Sequence, residues 1–168
     1  WASFGPQTKQ FRKLNEKGLL FDFETWPQSG LSHIWPPRMD YPSGVKVYDA
    51  FSPVARQIYW DHLKALFDYG IDAWWMDSTD PDFFNPCNET YDQKGAMGSW
   101  RSVRNLFPLA SVKGIYGNQR KASDQKRVFI MTRSAFAGQQ HYGSGLWSGD
   151  VASSWDMLRK QVPAGLNY

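Results

Sequence analysis

The stretch IDAWWMDSTDPDFF, residues 71–84, contains a short apolar run, IDAWWM, that leads directly into a group of aspartates. Gly70 precedes the run and ends a helical pattern. A helix, a glycine stop and then a short run buried on both faces are typical of parallel βα architecture. Residues 71–76 therefore predict a strand of a parallel sheet, with Asp77 at its carboxyl end.

The helical pattern before this strand has a clear beginning and end. Ser52 is a typical capping residue, and Pro53 occupies the first-turn position that proline favours. Apolar residues at helical spacing follow as far as Gly70, and they are Ala55, Tyr59, Leu63, Leu66 and Phe67. The pattern predicts an amphipathic helix.

The same alternation of helix and strand recurs further along the chain. Helical spacing covers residues 99–121, with Pro108 marking a break or a fresh start. RVFIMT at 127–132 predicts a second apolar strand, and GLWSGD at 145–150 predicts a short third one. The alternation predicts an α/β fold with a parallel sheet, either a barrel or a doubly wound sheet.

The two ends of the chain differ from this middle part. Residues 1–48 are rich in glycine, proline and polar residues and predict a long structured connection, with a short helix near residues 7–16. At the other end, Ser153 and Asp156 form a capping box. They predict a helix with Trp155, Leu158 and Val162 on one face.

Composition excludes several classes of function. The net charge of +3 comes from basic residues that are scattered among acidic ones, so a solvated surface is preferred over nucleic-acid or anion binding. Cys87 is the only cysteine, which excludes an internal disulfide and a cysteine-rich zinc site. No apolar run approaches the ~20 residues of a membrane helix, so no membrane partner is expected.

The predicted strands all end in polar, reactive residues. Asp77, Arg133 and Asp150 follow the three strands, and ligands of parallel α/β folds bind at this edge of the sheet. Two carboxylates from different strands, beside an arginine and tryptophans, suit the cleavage of glycosidic bonds. From spacing alone, a helix cap or turn is the equal alternative for each aspartate.

Three motifs together resemble glycoside hydrolase family 31, the retaining α-glucosidases and α-xylosidases. They are W-x-D at Trp75–Asp77, R-S-x-x-x-G-Q at Arg133–Gln139 and W-x-G-D at Trp147–Asp150. The resemblance runs over essentially the whole chain and implies a (β/α)8 barrel, a glycoside or oligosaccharide substrate, and no metal or other cofactor.

The resemblance also implies a role for each matching residue. Asp77 matches the catalytic nucleophile of the family and Asp150 its acid/base. Arg133 matches the arginine that binds sugar hydroxyls in the subsite where cleavage occurs. Trp75 and Trp147 match aromatic walls of that subsite.

Two departures from the family pattern limit what can be carried over. Ser78 and Asp80 differ from the residues that many members have there, so xylose and glucose stay open as the sugar. The chain also matches only from about the end of the third barrel strand to the start of the seventh. Residues 1–168 are therefore expected to be a single segment of an incomplete catalytic barrel, with the remainder supplied by flanking sequence.

Other hypotheses remain open in addition to an α-glycosidase. A non-catalytic carbohydrate-binding domain would also use tryptophan and arginine, but it would not need a pair of carboxylates on facing strands. Asp80 and Asp82 resemble a calcium loop only loosely, because the glycine and terminal glutamate are missing, so a turn role is expected for both. His141 is a minor further candidate for lining the pocket.

Overall fold

The computed structural model describes residues 3–24, 44–80 and 87–167. The strands are β1 (Ser3–Phe4), β2 (Leu20–Glu24), β3 (Lys46–Tyr48), β4 (Ala73–Met76), β5 (Lys94–Gly95), β6 (Gly98–Ser99), β7 (Phe129–Thr132) and β8 (Ser144–Leu146). The α-helices are α1 (Lys9–Glu16), α2 (Pro53–Asp68), α3 (Asn88–Tyr91), α4 (Trp100–Val103), α5 (Phe107–Ala122) and α6 (Trp155–Leu166). Short 3-10 turns cover Arg104–Leu106 and Gln139–Tyr142. Among the described residues, no helix has the length and apolar character needed to cross a membrane.

A parallel sheet of three strands forms the centre of the structure, as the sequence predicted. Its order is β4-β7-β8, and both neighbouring pairs run parallel. Met76 of β4 is in register with Thr132 of β7, which is in register with Leu146 of β8. The three carboxyl ends therefore lie side by side at one edge of the sheet, which we call the rim.

Only one face of this sheet is covered by the described residues. The side chains of Trp74, Met76 and Ile130 are buried against helices, whereas Trp75 and Met131 alternate with them and are exposed. The expectation of strands buried on both faces is therefore wrong for the described part of the chain. The reason is that α2 and α5 lie on the same side of the strands, and the opposite face would be the interior of a closed barrel.

The two long helices that cover the sheet begin as predicted. Ser52 caps α2 by accepting a hydrogen bond from the backbone N–H of Ala55 at 3.3 Å. Pro108 lies in the first turn of α5, so it marks a fresh start and not a break inside a helix. Trp74 of β4 contacts both helices, because its indole nitrogen donates to Gln119 of α5 at 2.7 Å and its ring meets the ring of Trp60 of α2 edge-on.

The opening residues contain more regular structure than predicted. The helix near residues 7–16 is present as α1, but β1, β3 and β2 also form an antiparallel sheet in that order. β1 and β3 are only two and three residues long, which is too short for alternation to be recognised. Residues 25–43 of the predicted connection lie outside the described residues.

Two boundaries near the end of the chain also differ from the prediction. The third strand ends at Leu146, so residues 147–150 form a loop beyond it. The last helix is capped by Ser154 and not by Ser153, because Ser154 Oγ accepts from the N–H of Met157 at 3.2 Å. The predicted face of Trp155, Leu158 and Val162 is exposed in the described structure.

Candidate functional site

The rim brings three of the predicted site residues onto neighbouring positions. Asp77, Arg133 and Trp147 each follow the last strand residue of β4, β7 and β8, and those last residues are in register. Side chains alternate along a strand, so all three lie on the same face as Trp75. The backbone N–H of Trp147 donates to the carbonyl of Thr132 at 2.9 Å, which continues the ladder one residue past β8.

Arg133 lies between two carboxylates of the neighbouring loop. Its Nε is 2.7 Å from Oδ1 of Asp80 and 3.5 Å from Oδ1 of Asp77. The side chain of Asp77 is 21% exposed and that of Arg133 is 29% exposed, so the pair is accessible from solvent but partly enclosed. A planar guanidinium in this position can bind a carboxylate and present donors to further oxygens.

The loop after β4 turns sharply directly behind Asp77. Ser78 is buried and adopts a left-handed conformation with φ of 55°, and its N–H donates to Oδ1 of Asp77 at 2.8 Å. A residue other than glycine adopts this conformation only where the surrounding structure holds it. The turn therefore fixes Asp77 from its own backbone and directs Asp80 back towards Arg133.

Trp75 and Trp147 form an aromatic corner beside these charged groups. Their ring centroids are 5.0 Å apart and the ring planes meet at 77°, an edge-to-face arrangement. Trp75 is 46% exposed, so its ring surface is accessible on the uncovered face of the sheet. Aromatic faces of this kind stack on the apolar faces of sugar rings.

Asp150 lies in the loop beyond β8, four residues after Leu146. Its side chain is exposed, and it forms no hydrogen bond or ion pair with any described residue. Gly149 before it has φ of +95°, which turns the loop in a way that suits glycine. The loop leaves β8 at the same rim that carries Asp77 and Arg133.

Asp80 is the site residue that the sequence pattern missed. A turn role was expected for it, and Asp80 does lie in the turn region after β4, but it also contacts Arg133 more closely than Asp77 does. The two residues are 53 positions apart, so local spacing contains no sign of the pairing. The pairing could have been inferred only from the parallel register of the two strands, because that register puts the loops after them side by side. Asp82 lies outside the described residues.

His141 lies away from the rim. It lines a cleft with Arg127 and Val128, which precede β7, whereas Arg133 follows β7. The histidine is therefore at the opposite end of the strand from the candidate site. Within the described ranges, no group of three or more His, Cys, Asp or Glu side chains is arranged to hold a metal ion.

Comparison with known proteins places the chain in a family. The family model described as the glycosyl hydrolases family 31 TIM-barrel domain matches residues 2–168. The predicted partial (β/α)8 barrel is thereby confirmed as the fold class.

Individual relatives give the same result over the full chain. An α-xylosidase of Saccharolobus solfataricus is 34% identical over 174 residues, which cover 100% of this chain and 20% of the relative. An uncharacterised family 31 glucosidase of Pseudescherichia vulneris is 32% identical, with 99% of this chain and 30% of the relative covered. The crystal structure of a family 31 α-xylosidase from Xanthomonas citri superposes with a TM-score of 0.82 at 33% identity, over 99% of this chain and 18% of that one. The chain thus spans between about a fifth and a third of the length of these relatives.

Proposed function

The chain belongs to glycosyl hydrolase family 31, and from that premise we propose that residues 1–168 are a segment of the catalytic barrel of a retaining α-glycosidase. Its substrates are α-linked xylosides or glucosides. The observation that carries the proposal is the position of Arg133 next to Asp77 directly after neighbouring parallel strands, with the exposed ring of Trp75 and the half-buried ring of Trp147 on the same face.

The proposed reaction is a double displacement by two carboxylates. In the first step Asp77 attacks the anomeric carbon from the face opposite the leaving group, and Asp150 donates its proton to the departing glycosidic oxygen. The product of this step is a glycosyl ester of Asp77 with inverted configuration. In the second step Asp150 takes a proton from water, and the water oxygen displaces Asp77 and restores the α configuration.

The remaining rim residues bind and orient the sugar. Arg133 donates hydrogen bonds to sugar hydroxyls, and these bonds strengthen as the ring distorts towards the transition state. Asp80 holds Arg133 through the contact at its Nε. Trp75 and Trp147 stack against the sugar ring and exclude water from one side.

Both sugars are supported by the names of the relatives. Two of the three proteins compared above are called α-xylosidases and one a glucosidase. The two sugars differ only in the hydroxymethyl group of glucose, so a few side chains around that group decide between them. Comparing kcat/KM for para-nitrophenyl α-xyloside and α-glucoside in a complete enzyme that carries this segment identifies the preferred sugar.

The same enzyme distinguishes catalysis from binding alone. If the segment belongs to an α-glycosidase, the wild type hydrolyses one of these substrates and both Asp77→Asn and Asp150→Asn remove most of that activity. If the protein is a non-catalytic carbohydrate-binding domain, calorimetry detects sugar binding, and neither the wild type nor either variant forms a hydrolysis product. Turnover that persists in Asp77→Asn at the wild-type rate contradicts the proposal.

A further inference from the structure

A cluster of three hydroxyl groups lies directly behind the rim. The hydroxyl of Thr79 contacts the hydroxyl of Thr132 and lies 2.7 Å from that of Ser134. Thr132 Oγ1 also contacts the backbone of Ser134, at 3.3 Å from its carbonyl oxygen and 3.4 Å from its nitrogen. Thr79 and Thr132 have no solvent exposure. We call these three residues the hydroxyl cluster.

The hydroxyl cluster joins the two loops that carry the candidate site. Thr79 lies between Ser78 and Asp80 in the loop after β4, and Thr132 and Ser134 flank Arg133 in the chain. The side chain of Thr79 is therefore directed away from that of Asp80, and those of Thr132 and Ser134 away from that of Arg133. The charged side chains lie on the rim and the hydroxyl groups lie behind it. Any shift of Thr79 against Thr132 moves the carboxylates against the guanidinium.

A further side chain extends this connection to the third strand. The amide nitrogen of Gln139 donates to the carbonyl oxygen of Ser134 at 3.1 Å and to the hydroxyl of Ser144 at 3.0 Å. Gln139 is 3% exposed, and Ser144 is the first residue of β8. The ends of β4 and β7 and the start of β8 are thus linked by side-chain hydrogen bonds in addition to the backbone ladder.

Burying polar groups in this position costs free energy of desolvation that burying apolar groups would not cost. A buried hydroxyl without a partner destabilises a fold, and a mutually paired set gives little net stability over apolar packing. Hydrogen bonds do supply direction, because each one fixes the relative position of two atoms to a few tenths of an ångström. A site that depends on the distances between an arginine and two carboxylates requires such fixed relative positions.

We propose that Thr79 is a positioning residue that sets the geometry of Asp77, Arg133 and Asp80 through the hydroxyl cluster. The catalytic consequence rests on the proposed function of the rim. Thr79 itself touches no substrate, since it is fully buried behind the rim. Its loss misplaces the nucleophile and the arginine without removing either, so it affects the transition state more than the binding of the ground state.

The test compares Thr79→Val, which keeps the shape and removes the hydroxyl, with Thr79→Ser, which keeps the hydroxyl. Both are made in a complete family 31 enzyme that carries this segment. Thr79→Val is expected to lower kcat by about 10- to 100-fold, because a misplacement of about 1 Å has effects of that size. KM changes much less, and Thr79→Ser retains most of kcat.

A matched control separates positioning from general loss of a buried hydroxyl. Ser111 is also fully buried, and its hydroxyl bonds to that of Tyr48 at 3.2 Å between β3 and α5. Ser111→Ala is expected to lower the unfolding temperature and to leave kcat and KM unchanged. If Thr79→Val does not fold, Ser134→Ala removes a partner from the same cluster and replaces it in the comparison. Wild-type kcat in folded Thr79→Val, or in Ser134→Ala where that replaces it, overturns the proposal.

A crystal structure of the same variant tests positioning independently of activity. In Thr79→Val we expect the 2.7 Å contact between Arg133 Nε and Asp80 Oδ1 to lengthen or break. An unchanged contact overturns the proposed positioning role even if the enzyme is inactive. A wild-type enzyme that hydrolyses no α-glycoside contradicts the proposed function instead, and the crystal structure then still decides whether Thr79 holds Arg133 in place.

Discussion

Asp80 and Arg133 form a close charged contact at the rim, with Nε and Oδ1 2.7 Å apart between the ends of two neighbouring parallel strands. The contact holds the guanidinium beside Asp77, whose Oδ1 is 3.5 Å from the same nitrogen. Arg133 therefore contacts both Asp77 and Asp80, two carboxylates of the described part of one loop. The loop after β4 and the residue after β7 therefore act as one unit.

Asp80→Asn is expected to lower kcat/KM by about tenfold, equivalent to about 1.4 kcal/mol of transition-state stabilisation. The amide keeps the shape of the side chain but loses the charge that holds Arg133. Steady-state kinetics in the complete enzyme measure the effect. Asp72→Asn is the matched control, because Asp72 pairs with Lys126 before the same two strands and at their opposite end. An equal loss in both variants would argue against a specific role for Asp80.

Arg133→Ala is expected to lower kcat/KM by about 100-fold or more, because the charged donor to sugar hydroxyls is lost where the ring distorts. Arg133→Lys is expected to recover little of this loss, since an ammonium group does not reproduce the planar fork of the guanidinium. Kinetics with an aryl glycoside and a transition-state analogue measure both effects. Near-normal kcat/KM in Arg133→Ala would refute the sugar-binding role.

The carboxyl groups of Asp77 and Asp150 are expected to lie about 5–5.5 Å apart in the complete enzyme with substrate analogue bound, the separation found in retaining glycosidases. Both residues follow strands of one parallel sheet, and Asp150 is on an exposed loop that can approach the sugar. A crystal structure of the complex measures the distance. A separation of about 6.5–9.5 Å would indicate an inverting enzyme instead.

Residues 1–168 expressed alone are expected to associate and to lack activity. Phe129 and Met131 are exposed on the uncovered face of the sheet, and Trp155 of α6 is 79% exposed. Such apolar surface favours association, and an open sheet has unpaired edges. Light scattering and an aryl α-glycoside assay test both parts. A monomeric, active chain would contradict the proposal that it is part of a larger barrel.

Local patterns in the sequence were enough to predict the elements that support the site. The α2 helix was predicted because Ser52 and Pro53 are start signals that act within one turn. β4 and β7 were predicted because their apolar runs end in polar residues at Asp77 and Arg133. In each case the cause lies within a few residues of its effect.

Some of the features that sequence did not reveal depend on contacts between distant residues, and others are local features that sequence rules do not capture. The pairing of Asp80 with Arg133 and the hydroxyl contacts of Thr79 require the register of two strands that are more than fifty positions apart. The left-handed Ser78 is not a residue that sequence rules assign to that conformation. The short antiparallel strands near the start have too few residues for alternation to be seen.

The roles of Asp77 and Asp150 follow from the geometry of attack, and azide can reveal them. In Asp150→Ala, Asp77 still forms the β-linked intermediate from a substrate with an activated leaving group, and azide then displaces it to give the α-glycosyl azide. In Asp77→Ala no such intermediate forms, so azide displaces the leaving group directly and gives the β-azide.

The anomeric configuration of the azide product from each variant, read by NMR, tests the central claim most directly. The α-azide from Asp150→Ala together with the β-azide from Asp77→Ala is the result predicted for a retaining enzyme with Asp77 as nucleophile and Asp150 as acid/base. Exchanged anomers would reverse the two roles. The same anomer from both variants would contradict the double displacement.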